Sequence, residues 1–159
     1  MSEGDWPEEP GDRVIEMLER VLDELDLDGD VELEEDETMI EATIAGDDDY
    51  GLLIGRRGQT IDALQLLCYQ AAFRGIRERK RVIVDVAGYR ERRRETLQAR
   101  ADRAAEQALS GSSSIEMDAM SAQERRVVHE HLKERAGVET FSEGDEPNRC
   151  VVVAPLLTD

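Results

Sequence analysis

From Arg13 onward, apolar residues at Val14, Ile15, Leu18, Val21, Leu22 and Leu25 recur at i, i+1, i+4, i+7, i+8 and i+11. That spacing lays one apolar stripe along an α-helix, and Gly29 marks its end. The stretches VELEE and TMIEATIA then alternate apolar and polar residues on either side of Asp36 and Glu37, which predicts a short hairpin with one buried face. Residues 47–54 suit a brief helical turn. Gly55 and Gly58 frame a corner, and Ile61 to Phe73 is apolar nearly all round, the pattern of a buried helix. Past Gly75 and the charged RERKR, VIVDVA reads as a strand from its β-branched content. One layer of three strands covered by three helices follows, a core of about 75 residues.

After Gly88 the pattern changes to a long helix from Arg90 to Leu109, with Leu97, Ala101, Ala104, Ala105 and Ala108 on its inner face and Ser110–Gly111 as the stop. SIEM is a short strand. Ser121-Ala-Gln-Glu124 has the spacing at which the two end residues satisfy each other's backbone N–H groups, so a helix is expected from there to about Arg135. VETF and RCVVVA, separated by the turn-rich EGDEPN, form a predicted hairpin. The fold class is therefore α+β, in two parts, residues 11–88 and 89–159. Residues 1–10, with Gly4, Pro7 and Pro10 among four acids, read as a disordered acidic leader.

Charge divides the chain differently from hydropathy. The 159 residues carry a formal net charge of -18, but residues 1–49 hold 21 Asp/Glu against 2 Arg, whereas residues 50–159 are nearly neutral with 17 acids and 18 Lys/Arg. Adaptation to high salt predicts acidity throughout and is not supported. Within residues 56–94 there are 11 Lys/Arg against 4 acids, a local excess that attracts a polyanion at short range because a Debye length of ~8 Å limits interference from distant acids. No apolar run approaches the ~20 residues of a membrane span, and no basic region followed by an apolar stretch opens the chain. A soluble cytoplasmic protein is expected. Cys68 and Cys150 lie far apart in apolar patterns, which fits two buried thiols rather than a disulfide framework or a zinc site.

Two motifs carry chemistry. In GLLIGRRGQT, Gly55 and Gly58 allow a sharp turn and let a phosphate approach without meeting a Cβ, while Arg56 and Arg57 place formal charge at the same point. The spacing fits neither a dinucleotide fingerprint nor a nucleotide-triphosphate loop. In ERRVVHEHLKE, a helical advance of ~100° per residue puts Arg125, His129 and Lys133 on one stripe with Arg126 beside it. That stripe borders the apolar face and is expected to stay solvent-accessible, offering donors to phosphate or base edges. His129 and His131 are i, i+2 and not His-Glu-x-x-His, so no zinc-protease site is present. No catalytic constellation, cofactor cradle or metal-ligand set stands out.

A Gly-x-x-Gly corner between helices, with a hairpin before it and a strand after it, resembles the type II K-homology (KH) domain, whose corner clamps the backbone of about four unpaired nucleotides. More broadly, LIGRRGQTIDALQ, VIVDVAGYRERRRETL, ERRVVH and VETFSEGDEPNRCVVVAP occur in the order seen in the Jag family of bacterial proteins, also called SpoIIIJ-associated or KhpB-like proteins. The resemblance implies a type II KH domain over residues 11–88, followed by an R-three-H (Arg-x-x-x-His) single-stranded nucleic-acid-binding domain over residues 89–159. It implies RNA contacts at Gly55, Arg56, Arg57 and Gly58, with Arg-Arg in place of the lysine-containing pair common in the family, and at Arg125, Arg126 and His129. It further implies a non-enzymatic protein that binds single-stranded RNA, or single-stranded DNA, as a post-transcriptional regulator or RNA chaperone affecting cell elongation and division, with a small single-KH protein as partner. Many family members carry an additional N-terminal Jag domain, whereas about ten residues, four of them acidic, precede the first helix here, so insertase coupling is not an expectation for this sequence. The competing reading is a protein–protein adaptor using the acidic N-terminal helix and the KH sheet.

Overall fold

A computed structural model describes residues 6–156, so residues 1–5 of the expected acidic leader lie outside the described residues. The chain divides after Arg90 into two units.

In the first unit, helix α1 spans Pro10–Glu24 and begins three residues earlier than the apolar stripe requires. Proline at the helix start explains this, because its fixed φ suits the first turn and its missing N–H would have had no intrahelical partner. Val14, Leu18 and Leu22 form the buried stripe. Strands β1 (Asp30–Glu35) and β2 (Met39–Ala45) pair antiparallel. Asp36 closes their turn by accepting from the Thr38 N–H at 2.6 Å, the Thr38 hydroxyl at 2.8 Å and the Met39 N–H at 2.8 Å. These bonds, the Thr38 backbone N–H foremost, hold the Asp36 carboxyl below the usual carboxylate range.

Strand β3 (Arg81–Val86) pairs parallel to β2, giving the sheet order β1-β2-β3. A parallel neighbour cannot be reached by a tight turn. Residues 46–80 form the crossover, which carries helix α2 (Gly51–Ile54), the glycine corner and helix α3 (Gln59–Ala72). Ile61, Leu64, Cys68 and Ala72 of α3 are buried against a core that includes Ile40, Ile44, Val84 and Val86.

The expectation that α3 is covered all round is wrong. Leu66 and Leu67 are 59% and 56% exposed. In this two-layer arrangement α3 packs on α1 and β3, and one side of the helix has no layer over it. Arg90 ties the end of the unit together. It donates to Val84 O at 2.8 Å, to Gln65 Oε1 at 3.0 Å and to Asp62 Oδ1 at 3.0 Å.

Helix α4 spans Tyr89–Gly111 and buries Leu97, Ala101, Ala104, Ala105 and Ala108, the face that the spacing predicts. Strand β4 (Ile115–Glu116) is the short strand expected at SIEM. Helix α5 (Ala122–Leu132) opens on the Ser121–Glu124 capping box and ends about three residues before the expected Arg135. Strands β5 (Val138–Glu143) and β6 (Cys150–Pro155) are antiparallel, and the second sheet runs β4-β6-β5. Both cysteines are buried, Cys68 at 0% and Cys150 at 3% exposure, and burial pushes the Cys68 thiol up to about 12. Among the described residues no helix is long and apolar enough to cross a membrane.

Candidate nucleic-acid interface

The corner between α2 and α3 is built from three departures from ordinary backbone within four residues. Gly55 sits at φ 71, ψ 177, Arg57 at φ 55, ψ 29 and Gly58 at φ 77, ψ 13. Gly55 lies where L-residues are essentially excluded. A Cβ there would collide with Thr60 Oγ1 and lie 2.9 Å from the Thr60 backbone nitrogen. At Gly58 a Cβ would lie 2.9 Å from Cε1 of Tyr89, so the aromatic ring supports the far side of the turn. Arg56 and Arg57 are both exposed. The two glycines therefore shape the bend, and two exposed arginines lie between them.

Other members of the basic segment have different work. Arg90 pairs with Asp62, Arg93 with Glu124 at 2.6 Å, Arg94 with Glu91 and Lys80 with Glu35 at 2.7 Å. The local cation excess read from the sequence is thus partly spent on ion pairs that hold the protein together.

In the second unit, α5 and the β5–β6 hairpin enclose an open recess of about 470 Å³ lined by Arg125, Arg126, His129, Ser142, Glu146 and Arg149. Arg126 is exposed, with its side chain 80% accessible. Arg125 is not. The solvent-accessible stripe expected on α5 is corrected at this position, because Arg125 is only 8% exposed. Its Nη1 donates to Met120 O at 2.8 Å and lies 2.8 Å from Glu146 Oε1, so two acceptors draw the guanidinium inward. Lys133 lies outside the recess lining.

His129 is half-buried between two hydroxyls, with Nδ1 2.8 Å from Thr140 Oγ1 and Nε2 3.0 Å from Ser142 Oγ. Burial first, and the Arg125 cation second, push its pKa below the ordinary 6.5. The imidazole is therefore neutral at neutral pH, with one nitrogen donating and the other accepting. Because the folded-state value lies below the unfolded one, the unfolded chain binds more protons between the two. Stability from this site is complete above the ordinary value and falls as the pH drops through that interval. Wild-type protein should lose stability relative to His129→Gln as the pH falls below the ordinary value of 6.5, as measured by urea midpoints of the second unit. A constant difference would remove histidine from the account.

Thr140, Ser142, Glu146 and Arg149 were not singled out by sequence motifs. The available signal was the alternation along β5, which sends residues 140 and 142 to the same face. Among the described residues no buried side-chain nitrogen or oxygen lacks a hydrogen-bond partner, and no group of three or more His, Cys, Asp or Glu is placed to hold a metal ion.

Comparison with known proteins matches both units. Residues 12–86 match the model of the KhpA/KhpB KH domain, and residues 95–155 match that of the R-three-H domain. The RNA-binding protein KhpB of Clostridium symbiosum is 38% identical over 144 residues, covering 90% of this chain and 65% of that protein. The protein of the same name from Bacillus subtilis is 36% identical over 127 residues, covering 79% and 61%. That from Streptococcus pneumoniae is 32% identical over 146 residues, covering 92% and 44%. The chain spans less than two-thirds of the length of these relatives. With a KH module and an R-three-H module in sequence, and kinship of this degree across most of its residues, the chain belongs to the KhpB-like family, also called the Jag or SpoIIIJ-associated family.

Proposed function

We propose that this protein is a non-enzymatic, cytoplasmic RNA-binding protein that holds single-stranded RNA at the Gly55–Gly58 corner and at the Arg125–His129 recess. The observation that carries this reading is the corner itself, a bend that excludes Cβ atoms at both glycines and presents Arg56 and Arg57 to solvent. Phosphates would lie against the corner, and bases along the neighbouring helix and strand. In the recess, Arg126, Arg149 and the hydroxyl-bound His129 supply further donors. Two modest sites on one chain gain avidity from effective concentration.

Aromatic residues are only 4% of the chain, so stacking contributes little and affinity should fall steeply with salt. Regulation of transcripts affecting cell elongation and division, alone or with a small KH protein, is the biological role that fits such a chain. A polarisation titration with a labelled single-stranded RNA, repeated with the matching duplex and single-stranded DNA, tests the reading. Equal affinity for the duplex would refute it.

One observation favours the adaptor reading. Asp30, Glu32 and Glu34 alternate on one exposed face of β1, an acidic surface that would repel RNA and attract a basic protein. Crosslinking in cells followed by RNase separates the two, because an adaptor keeps its partner when RNA is destroyed.

A further inference from the structure

Resting on the recess as a phosphate site, we infer that Glu146 is a built-in competitor for the RNA backbone. Its carboxylate holds Arg125 in the RNA-free chain and is exchanged for a phosphate oxygen when a strand enters.

The asymmetry of the pair supports the exchange. The Arg125 side chain is 10% exposed and that of Glu146 59%. Arg125 is fixed from within, since Nη1 also donates to Met120 O at 2.8 Å. The cation stays where it is, while the anion is free to turn outward.

Glu146 lies in the exposed connection between β5 and β6. Within that connection the Asn148 N–H donates to Asp145 O at 2.8 Å and Arg149 Nη1 to Gly144 O at 3.3 Å, and Arg149 O accepts from the Met120 N–H at 3.1 Å. These bonds use groups other than the Glu146 carboxylate, so swinging it away breaks no strand pairing. Carboxylate and phosphate oxygens offer a guanidinium the same acceptor geometry. Arg126 and Arg149 border the same recess, where they would meet the incoming phosphate. Glu130, its other acid, lies 3.3 Å from Arg126 in an exposed pair and does not engage Arg125. Glu146 is thus placed to weaken binding while it stabilises the resting fold.

A purely structural ion pair predicts the opposite sign for binding, and the test exploits that difference. In the full chain carrying Arg56→Asp and Arg57→Asp, so that the recess dominates, polarisation of a fluorescein-labelled oligouridine is measured at low salt. Glu146→Gln should tighten binding about fivefold, the scale of one half-exposed ion pair, and lower the unfolding temperature of the second unit. Glu143→Gln, the same charge change on the same hairpin, should alter affinity by less than about twofold.

Equal gains in both variants, or unchanged or weaker binding with Glu146→Gln while Arg149→Gln weakens it, would overturn the competitor and leave the phosphate site standing. If neither Glu146→Gln nor Arg149→Gln alters binding, the phosphate site fails and the competitor fails with it.

Discussion

Replacing Arg56 and Arg57 together by aspartate should weaken the binding of single-stranded RNA by about 100-fold at physiological salt. Each charge-assisted contact to phosphate contributes about 1.5 kcal/mol, and two such contacts amount to a factor of about 100. Reversal of sign adds repulsion to the loss. The fold should tolerate the change. Both positions are exposed, and Arg57 occupies φ 55, a left-handed conformation that aspartate adopts more readily than most residues. Polarisation titrations paired with thermal unfolding check both halves. Unchanged affinity in a folded variant would remove the corner from the binding surface.

Gly55→Ala should be the more damaging substitution to the fold. At φ 71, ψ 177 any side chain is strained, at about 1–3 kcal/mol. The added methyl also meets Thr60, at its hydroxyl oxygen and 2.9 Å from its backbone nitrogen. Shortening Thr60 would relieve the first contact and not the second, so the turn from α2 into α3 must shift. A loss of about 3 kcal/mol corresponds to a fall of roughly 12–24 °C in the melting temperature of a domain of this size. RNA affinity should fall with it. Gly58→Ala provides the contrast. Its φ 77, ψ 13 belongs to the left-handed helical region, costing about 1–2 kcal/mol, and its nearest obstacle is a side chain, the rim of the Tyr89 ring, rather than backbone. Thermal melts that rank the two variants in the reverse order would show that Thr60 does not constrain the corner.

Local pattern was enough to place most elements. The five buried residues of α4 share one face at helical spacing, the Ser121–Glu124 pair sits at its characteristic separation, and both hairpins are bracketed by turn residues. Each depends on neighbours a few positions apart. The misreadings share the opposite character. Leu66 and Leu67 are exposed because no layer covers that side of α3, and nothing within α3 records the missing layer. Arg125 is buried because Met120 O and Glu146 converge on it from outside α5, partners invisible to a helical projection. Arg90 and Arg93 find Asp62 and Glu124, which lie 28 and 31 residues away in sequence. The Gly-x-x-Gly corner was legible because its geometry is dictated by its own glycines. The recess was legible only on its α5 side, since the β5–β6 hairpin supplies the rest.

The depth at which both thiols are set has a practical outcome for spectroscopy. Neither sulfur is accessible enough to capture a maleimide dye quickly, so the native sequence already behaves as a cysteine-free background. A single thiol introduced on solvent-facing ground, such as Gln107→Cys on α4, would be the sole rapidly alkylated group, and fluorophores could follow RNA capture without altering Cys68 or Cys150.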